Sequence, residues 1–257
     1  MNFGEKVSSD NDLFDRQYEV FLADTEASKN IHYNIRYQVY CDEMGYEDSS
    51  AFPDKLEFDE WDDHSAHFMV RHRQTGYWIG AVRLVHHRDC QFPFENWTQA
   101  EQKFSTNDYV SAVEMSRLCV LKDARKFAVK RFASFSDPIR HEHSADNKVT
   151  SLFEHRNQQR KIMWGLNRAA VMYAKQNNIK CWYILVAPAL AAFIRKERFK
   201  LTQIGKPCDH RGLRTPYRLD MDDILVNRLW DHDYKLGYRL YSEVLEEQVP
   251  EKIRIAV

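Results

Sequence analysis

Glycine is scarce in this chain: eight occur in 257 residues, and none lies between Gly80 and Gly165. That stretch therefore holds no glycine-rich turn of the kind whose backbone N–H groups cradle a pyrophosphate. The five cysteines, Cys41, Cys90, Cys119, Cys181 and Cys208, are odd in number and form no C-x-x-C pair. This argues against a disulfide framework and for a reducing compartment. No apolar run is long enough to span a bilayer, since the longest, Cys181 to Ile194, is broken by Pro188. The polar N-terminus does not read as a signal peptide. With a formal net charge of −1, bulk electrostatics favours neither nucleic acid nor a membrane surface. The histidines at 64 and 67, 86 and 87, and 141 and 143 match no zinc spacing. The expectation is a cytoplasmic protein with no metal, no nucleic-acid partner and no stable membrane insertion.

What is present suits one globular domain. Hydrophobic residues make up 44% and aromatics 13%, enough for a real core with aromatic pockets. The spacing of Ile31, Ile35 and Val39 predicts a helix from Asn30 to Glu43, stopped by Gly45, with Arg36, Tyr40 and Glu43 on another side. Ala66 to Arg71 alternates as a strand, R-Q-T-G (Arg73 to Gly76) reads as a hairpin turn, and Tyr77 to Val85 follows as the second strand. Ile79, Ala81, Arg83 and Val85 would share a face of it. A third strand is expected at Ala112 to Val120, completing an antiparallel meander.

The second half changes character. S-L-F-E at Ser151 resembles a capping box opening a long helix to about Asn177, with Ile162, Leu166, Ala169, Ala170 and Tyr173 as its buried stripe. The run C-W-Y-I-L-V-A then reads as a strand pairing in parallel with the meander, and Pro188 as the first residue of another helix. Short strands at Leu201 to Ile204 and Thr215 to Leu219 follow. The segment from Asp223 to Glu247 reads as one or two amphipathic helices that cap the core or make a homodimer. The domain is thus placed at residues 13–222, with 223–257 as its C-terminal helical extension.

Charge is concentrated at one place. Glu57, Asp59, Glu60, Asp62 and Asp63 lead directly into the first strand, and Arg83 sits among apolar neighbours in the second. Crowding raises carboxylate pKa values, whereas a fixed guanidinium lowers them or binds an anion. The plain alternatives are a solvated charge run for residues 59–63 and a structural ion pair for Arg83. Glu114 and Arg117, inside V-E-M-S-R-L-C-V, require partners whichever reading holds. Cys119 has no companion base and reads as a buried strand cysteine rather than a nucleophile.

With those motifs laid out, R-Y-Q-V-Y, E-F-D-E-W-D, G-A-V-R-L and E-M-S-R resemble the acyl-homoserine-lactone synthases and their relatives. R-Y-Q-V-Y-C-D-E-M-G-Y-E, F-P-D-K-L-E-F-D and D-H-S-A-H-F resemble the acyltransferases associated with PEP-CTERM/exosortase systems, including long-chain N-acyl amino acid synthases. The resemblance covers Arg36 to Val120 by motif and the remainder by element order. It implies an α/β GNAT-like acyltransferase sandwich: a mixed, mostly antiparallel sheet with a splayed central pair, flanking helices and a C-terminal helical extension. It further implies transfer of an acyl chain from a carrier-protein thioester to an amine, with no tightly bound cofactor.

Carried over by motif, Glu57, Glu114 and Arg117 are the candidate catalytic residues, with Glu57 and Glu114 as candidate bases. Arg36, Tyr40, Tyr46, Asp59, Asp62, Arg83 and Ser116 are the candidate substrate-binding residues. Tyr46 stands where the lactone synthases favour tryptophan. The α-amine of an acceptor must lose a proton before it attacks a thioester, which calls for a carboxylate, and the oxyanion calls for fixed donors after Arg117. Glu114 and Arg117 are an odd number of residues apart and would face opposite sides of a regular strand, so a shared site demands a β-bulge between them. The absence of glycine after the third strand favours the phosphopantetheine arm of an acyl carrier protein over acyl-CoA, which stays possible. Lys122, Arg125, Lys126, Lys130 and Arg131 would form its docking surface; a solvated loop is the alternative. The acceptor is an amino acid or, in the alternative of a lactone synthase, S-adenosylmethionine. An alternative of another class is a non-catalytic module that binds acyl carriers or amino acids.

Overall fold

The computed structural model describes residues 13–125, 145–231 and 233–248. A short turn of helix, α1 (Phe14–Gln17), leads into β1 (Tyr18–Leu22) and then α2 (Glu26–Tyr37). The meander follows as β2 (Ser65–His72), β3 (Trp78–His86) and, after α3 (Thr106–Val110), β4 (Ala112–Val120). The long helix α4 (Ala145–Gln176), β5 (Cys181–Val186) and α5 (Pro188–Lys196) form the expected strand–helix unit. Short strands β6 (Thr202–Gln203) and β7 (Cys208–Asp209) precede β8 (Leu213–Asp220), and α6 (Met221–Leu225), β9 (Tyr238–Leu240) and α7 (Tyr241–Gln248) close the chain.

These strands make one mixed sheet in the order β6-β8-β5-β4-β3-β2-β1-β9, with β7 paired to β8. Only β4–β5 and β1–β9 run parallel. Alternation along β2 sends Ala66, Phe68 and Val70 to the face covered by α4, where Ile162, Leu166, Ala169 and Ala170 meet them. Met69 points the other way, into a smaller core with Ile35 of α2 and Val39 just beyond its end. Helices therefore cover both faces, as a sheet with two apolar faces requires.

Several boundaries differ from the sequence reading. Helix α2 begins four residues before Asn30, because Thr25 caps it reciprocally with Ser28 (Ser28 N to Thr25 Oγ1 3.2 Å, Thr25 N to Ser28 Oγ 3.0 Å). It then relaxes into a π-helical stretch over Gln38–Glu43, and Gly45 at φ +61° stops it. The box at Ser151 does not open a helix, since α4 already runs from Ala145. Ile79 does not share the face of Ala81 and Arg83: the β2–β3 register shifts between Val70 and Arg71, turning Ile79 toward α4. In the C-terminal segment Tyr238–Leu240 is strand rather than helix, because Val20–Leu22 of β1 offers it an open parallel edge.

Among the described residues no helix is long and apolar enough to cross a membrane. Where the N-terminal segment meets α4 the contact is close: a Cβ on Gly165 would lie 2.0 Å from the Phe14 ring, itself only 2% exposed. Helix propensity alone would make Gly165→Ala stabilising by about 1 kcal/mol. Overpacking against a ring that cannot swing out should win instead, at a cost of about 1–3 kcal/mol. Urea unfolding of Gly165→Ala and of the Phe14→Ala, Gly165→Ala pair checks this, the second change being expected to relieve the first.

Candidate active site

The acidic segment and three arginines converge on the α2 side of the sheet. Arg36 of α2 is fully buried and pairs with Glu57 through Nε and with Asp62 through Nη1 at 2.6 Å. Arg83 of β3, 1% exposed, holds Asp59 bidentately at 2.5 and 3.1 Å and reaches Asp62 at 2.9 Å. Its Nε donates to Ser116 Oγ at 3.1 Å, and Nε2 of His67 on β2 donates to the same Asp62 Oδ1 at 2.9 Å. Arg117 completes the set, bonded to Glu57 at 3.0–3.1 Å and to Asp59 at 3.1 Å. Three guanidiniums thus face three carboxylates, and the charges cancel.

Arg117 reaches this cluster because the strand bulges. Ala81 pairs with Cys119 and Arg83 with Ser116, so β4 carries an extra residue there, and Arg117 adopts φ +53°. The left-handed backbone turns its side chain onto the face of Ser116 and Glu114, the arrangement that the odd offset required. The parallel pairing with β5 also stops here: it runs through Ala112, Val113 and Glu114 and no further. Beyond Glu114 the strands part.

Into that gap opens an apolar cavity of about 610 Å³ including its mouth, on the α4 side. Met115 and Leu118 of β4, Trp182 and Ile184 of β5, and Met163 and Asn167 of α4 are among its walls. Glu114 faces the other side of the sheet, 3% exposed, and accepts a hydrogen bond from Phe94 N at 2.8 Å. It makes no ion pair among the described residues.

The carboxyl groups consequently separate in acidity. Burial alone would raise all of them. At Glu57 it is overcome by Arg36 and Arg117, at Asp59 by Arg83 and then Arg117, and at Asp62 by His67 with Arg36 and Arg83, so all three lie below the usual range. At Glu114 burial wins over the Phe94 N–H and Arg83, and the pKa is pushed up to about 8. Burial raises the Cys119 thiol to about 12, which removes it as a nucleophile.

The other expected residues fall at the margin of this centre. The guanidinium of Arg117 lies over the Tyr40 ring at 5.4 Å, and the Tyr40 hydroxyl reaches the Leu118 carbonyl at 3.5 Å. Tyr46 is 43% exposed, held by its backbone to Tyr40, and joins none of the ion pairs. Lys122 is exposed and bonded to Glu43, and Arg125 ends the same 3-10 turn. Lys126, Lys130 and Arg131 lie outside the described residues. Sequence reasoning missed Glu47, Arg211 and Phe94. Glu47 bridges Arg117 (3.4 Å) and Arg211, which come from distant parts of the chain, and Phe94 acts through its backbone. No local pattern marks such partners.

Two stability effects of opposite sign follow. For Glu57, Asp59 and Asp62, with depressed pKa values, the pairing energy is present above the unfolded-chain range of about 3.9–4.3 and is lost as pH falls below it. Asp62→Asn, which leaves Arg36 and Arg83 short of a buried partner, should cost on the order of 3 kcal/mol near pH 7 and less in acid. Glu114 has a raised pKa, so its ionisation erodes stability between about pH 4.3 and about 8. Glu114→Gln should therefore be more stable than the parent near pH 8, by on the order of 1–3 kcal/mol, and not near pH 4. Denaturant unfolding of the three proteins across that range tests both signs.

Comparison with known proteins bears on the fold. Residues 35–134, which carry Arg36, the acidic segment, Arg83, Glu114 and Arg117, match the acetyltransferase (GNAT) domain family. No curated protein sequence matches the chain significantly. The CoA-dependent acyl-homoserine lactone synthase BjaI, solved with MTA, is 14% identical with a TM-score of 0.57, covering 91% of this chain and 99% of its own. The same synthase with SAM and isopentyl-CoA gives 13% and 0.54 over the same shares. TofI, in a ternary complex with an inhibitor and MTA, gives 15% and 0.51, over 79% of this chain and 91% of its own. At these identities the likeness is one of fold: the chain has the mixed α/β GNAT fold of the acyl-homoserine-lactone synthases, with its buried charges inside the stretch that matches the GNAT domain.

Proposed function

We propose that this chain is an N-acyltransferase that moves an acyl group, of long chain, from the thioester of an acyl carrier protein to the amine of an amino acid or similar small acceptor. The observation that carries the reading is Glu114, an unpaired buried carboxyl with a pKa of about 8, at the point where β4 and β5 separate beside an apolar cavity. A base is most effective when its pKa lies near the working pH. Glu57, held low between Arg36 and Arg117, suits the scaffold better than proton transfer.

In this reaction the ammonium of the acceptor gives a proton to the Glu114 carboxylate. The freed nitrogen attacks the thioester carbon, and backbone N–H groups on the unpaired edge of β4 receive the oxyanion. The C–S bond then breaks and Glu114 returns its proton to the departing thiolate, which leaves as a thiol; the nitrogen gives its second proton to the regenerated Glu114 carboxylate, which passes it to solvent, and the neutral amide remains. The acyl tail occupies the cavity between β5 and α4. Asp59, Asp62, Arg36 and Arg83 hold the floor, and Tyr40, Tyr46 and Ser116 line the approach. The lack of glycine after β4 supports a carrier-protein donor docked at Lys122, Arg125, Lys126, Lys130 and Arg131, with acyl-CoA as the other candidate. The motif resemblance extends the proposal to a setting beside PEP-CTERM/exosortase systems.

Lactone synthesis is the second reading, favoured by the fold likeness to a synthase solved with SAM. It uses the same acyl transfer to the amine of S-adenosylmethionine and adds ring closure. Mass spectrometry of lipid extracts from cells expressing the chain separates the readings: an N-acyl amino acid supports the first and an acyl-homoserine lactone the second. Glu114→Gln should lower either product on the order of 10²-fold, the usual worth of a general base. Undiminished product from that variant would remove Glu114 from the role. Purified protein that binds acyl carrier or amino acid but turns over neither donor would favour the binding module.

A further inference from the structure

The β7–β8 hairpin turns at Arg211 and Gly212, both at positive φ (+55° and +92°). The hairpin and the chain leading into it are laced to the segment after β3: Thr98 Oγ1 donates to the Lys206 carbonyl at 2.9 Å, Glu101 N to the Ile204 carbonyl at 2.7 Å, and the rings of Trp97 and His210 lie 4.1 Å apart. That segment also supplies the Phe94 N–H that binds Glu114. On its other side the hairpin tip is tied through Arg211 to Glu47, and Glu47 to Arg117. The tip is therefore tied to Arg117 through Glu47 and to the segment whose Phe94 N–H binds Glu114, on the sheet face opposite the acyl cavity.

Arg214 differs from the arginines around it. Arg36, Arg83, Arg117 and Arg211 each pair with a carboxylate. Arg214 is half-buried and donates to the carbonyls of His210 (3.2 Å) and Arg211 (3.5 Å), with no carboxylate within salt-bridge distance among the described residues. Asp209 is exposed and accepts from Gly212 N at 3.2 Å. The His210 imidazole at the same tip feels these guanidiniums: burial first, then Arg211, Arg117 and Arg214, push its pKa down to about 4, against a smaller opposing effect of Asp209. A half-buried guanidinium without an anionic partner is costly unless a ligand supplies one.

We propose that Arg214, flanked by Arg211 at the hairpin tip, binds the carboxylate of the acceptor and so directs its amine toward Glu114. This rests on the acyl-transfer reading and deepens it: the acceptor must carry a carboxylate near its amine. The planar carboxylate matches the guanidinium fork, which a lysine would not reproduce. A phosphate of the donor arm has the same chemistry, but the acyl chain leaves toward the α4 face, which reserves the hairpin side for the acceptor.

The test supplies purified protein and acyl donor with an equimolar mixture of the twenty amino acids, their carboxamides and S-adenosylmethionine. Products are read by mass spectrometry, and binding of the same mixture by saturation-transfer NMR. The parent should acylate free acids in preference to amides. Arg214→Gln should lose that preference at least tenfold, with an increased acceptor KM, nearly unchanged kcat and unchanged donor KM; Arg214→Lys should fall between. Circular dichroism establishes that each variant is folded. A Gln variant that keeps the preference overturns the inference while leaving the acyl transfer standing, and a rise in donor KM alone overturns it in favour of the phosphate. If the parent forms no product yet binds the acids and the variant does not, the carboxylate site stands and the acyl-transfer reading falls. Absence of both product and binding overturns both.

Discussion

A fully buried guanidinium cannot be left alone, and Arg36 is one. Desolvating it costs several kcal/mol even after relaxation, so its position demands carboxylates with fixed geometry. Glu57 and Asp62 meet that demand, and in doing so anchor the 57–62 segment against α2. The carboxylates in turn need further cations, which β3 and β4 supply as Arg83 and Arg117, while β2 contributes His67. One buried charge thereby ties a helix, a loop and three strands into a neutral block. Apolar side chains of the same volume could hold such a block equally well.

Neutrality of the block leaves Glu114 free to do something else. It lies on the same face as Arg83 and Arg117 but outside the pairing, and its carboxyl is raised where its neighbours are lowered. Groups on one face whose acidities are driven apart in this way commonly divide structural and proton-transfer roles. The bulge at Arg117 serves both halves. It turns a guanidinium into the block, and it lies just past the last β4–β5 pair, where the cavity opens.

The meander was legible because its periods are clean: Ala66, Phe68 and Val70 alternate with His67, Met69 and Arg71, and both faces are buried. The bulge was legible for a subtler reason, since Glu114 and Arg117 could share a site only if the strand broke its alternation. Strands β1 and β9 were not. Y-E-V-F-L is short and buried on both sides, so it shows no period, and the three residues of β9 are strand only because β1 lies beside them. The start of α2 was hidden by a capping box that uses serine instead of glutamate. At the site, residue types were readable but partners were not. Glu57 reads as a base until two arginines are found on it, and Arg211 and Glu47 meet across more than 160 positions.

The central claim is that proton transfer belongs to Glu114 and not to the paired carboxylates. The most direct measurement is the pH dependence of kcat/KM for the acceptor, which reports the unliganded enzyme, for the parent and Glu114→Gln. The account predicts that the parent rate rises through an apparent pKa near 8 and that this limb is absent from the much slower variant. An unchanged profile and rate in Glu114→Gln would contradict it.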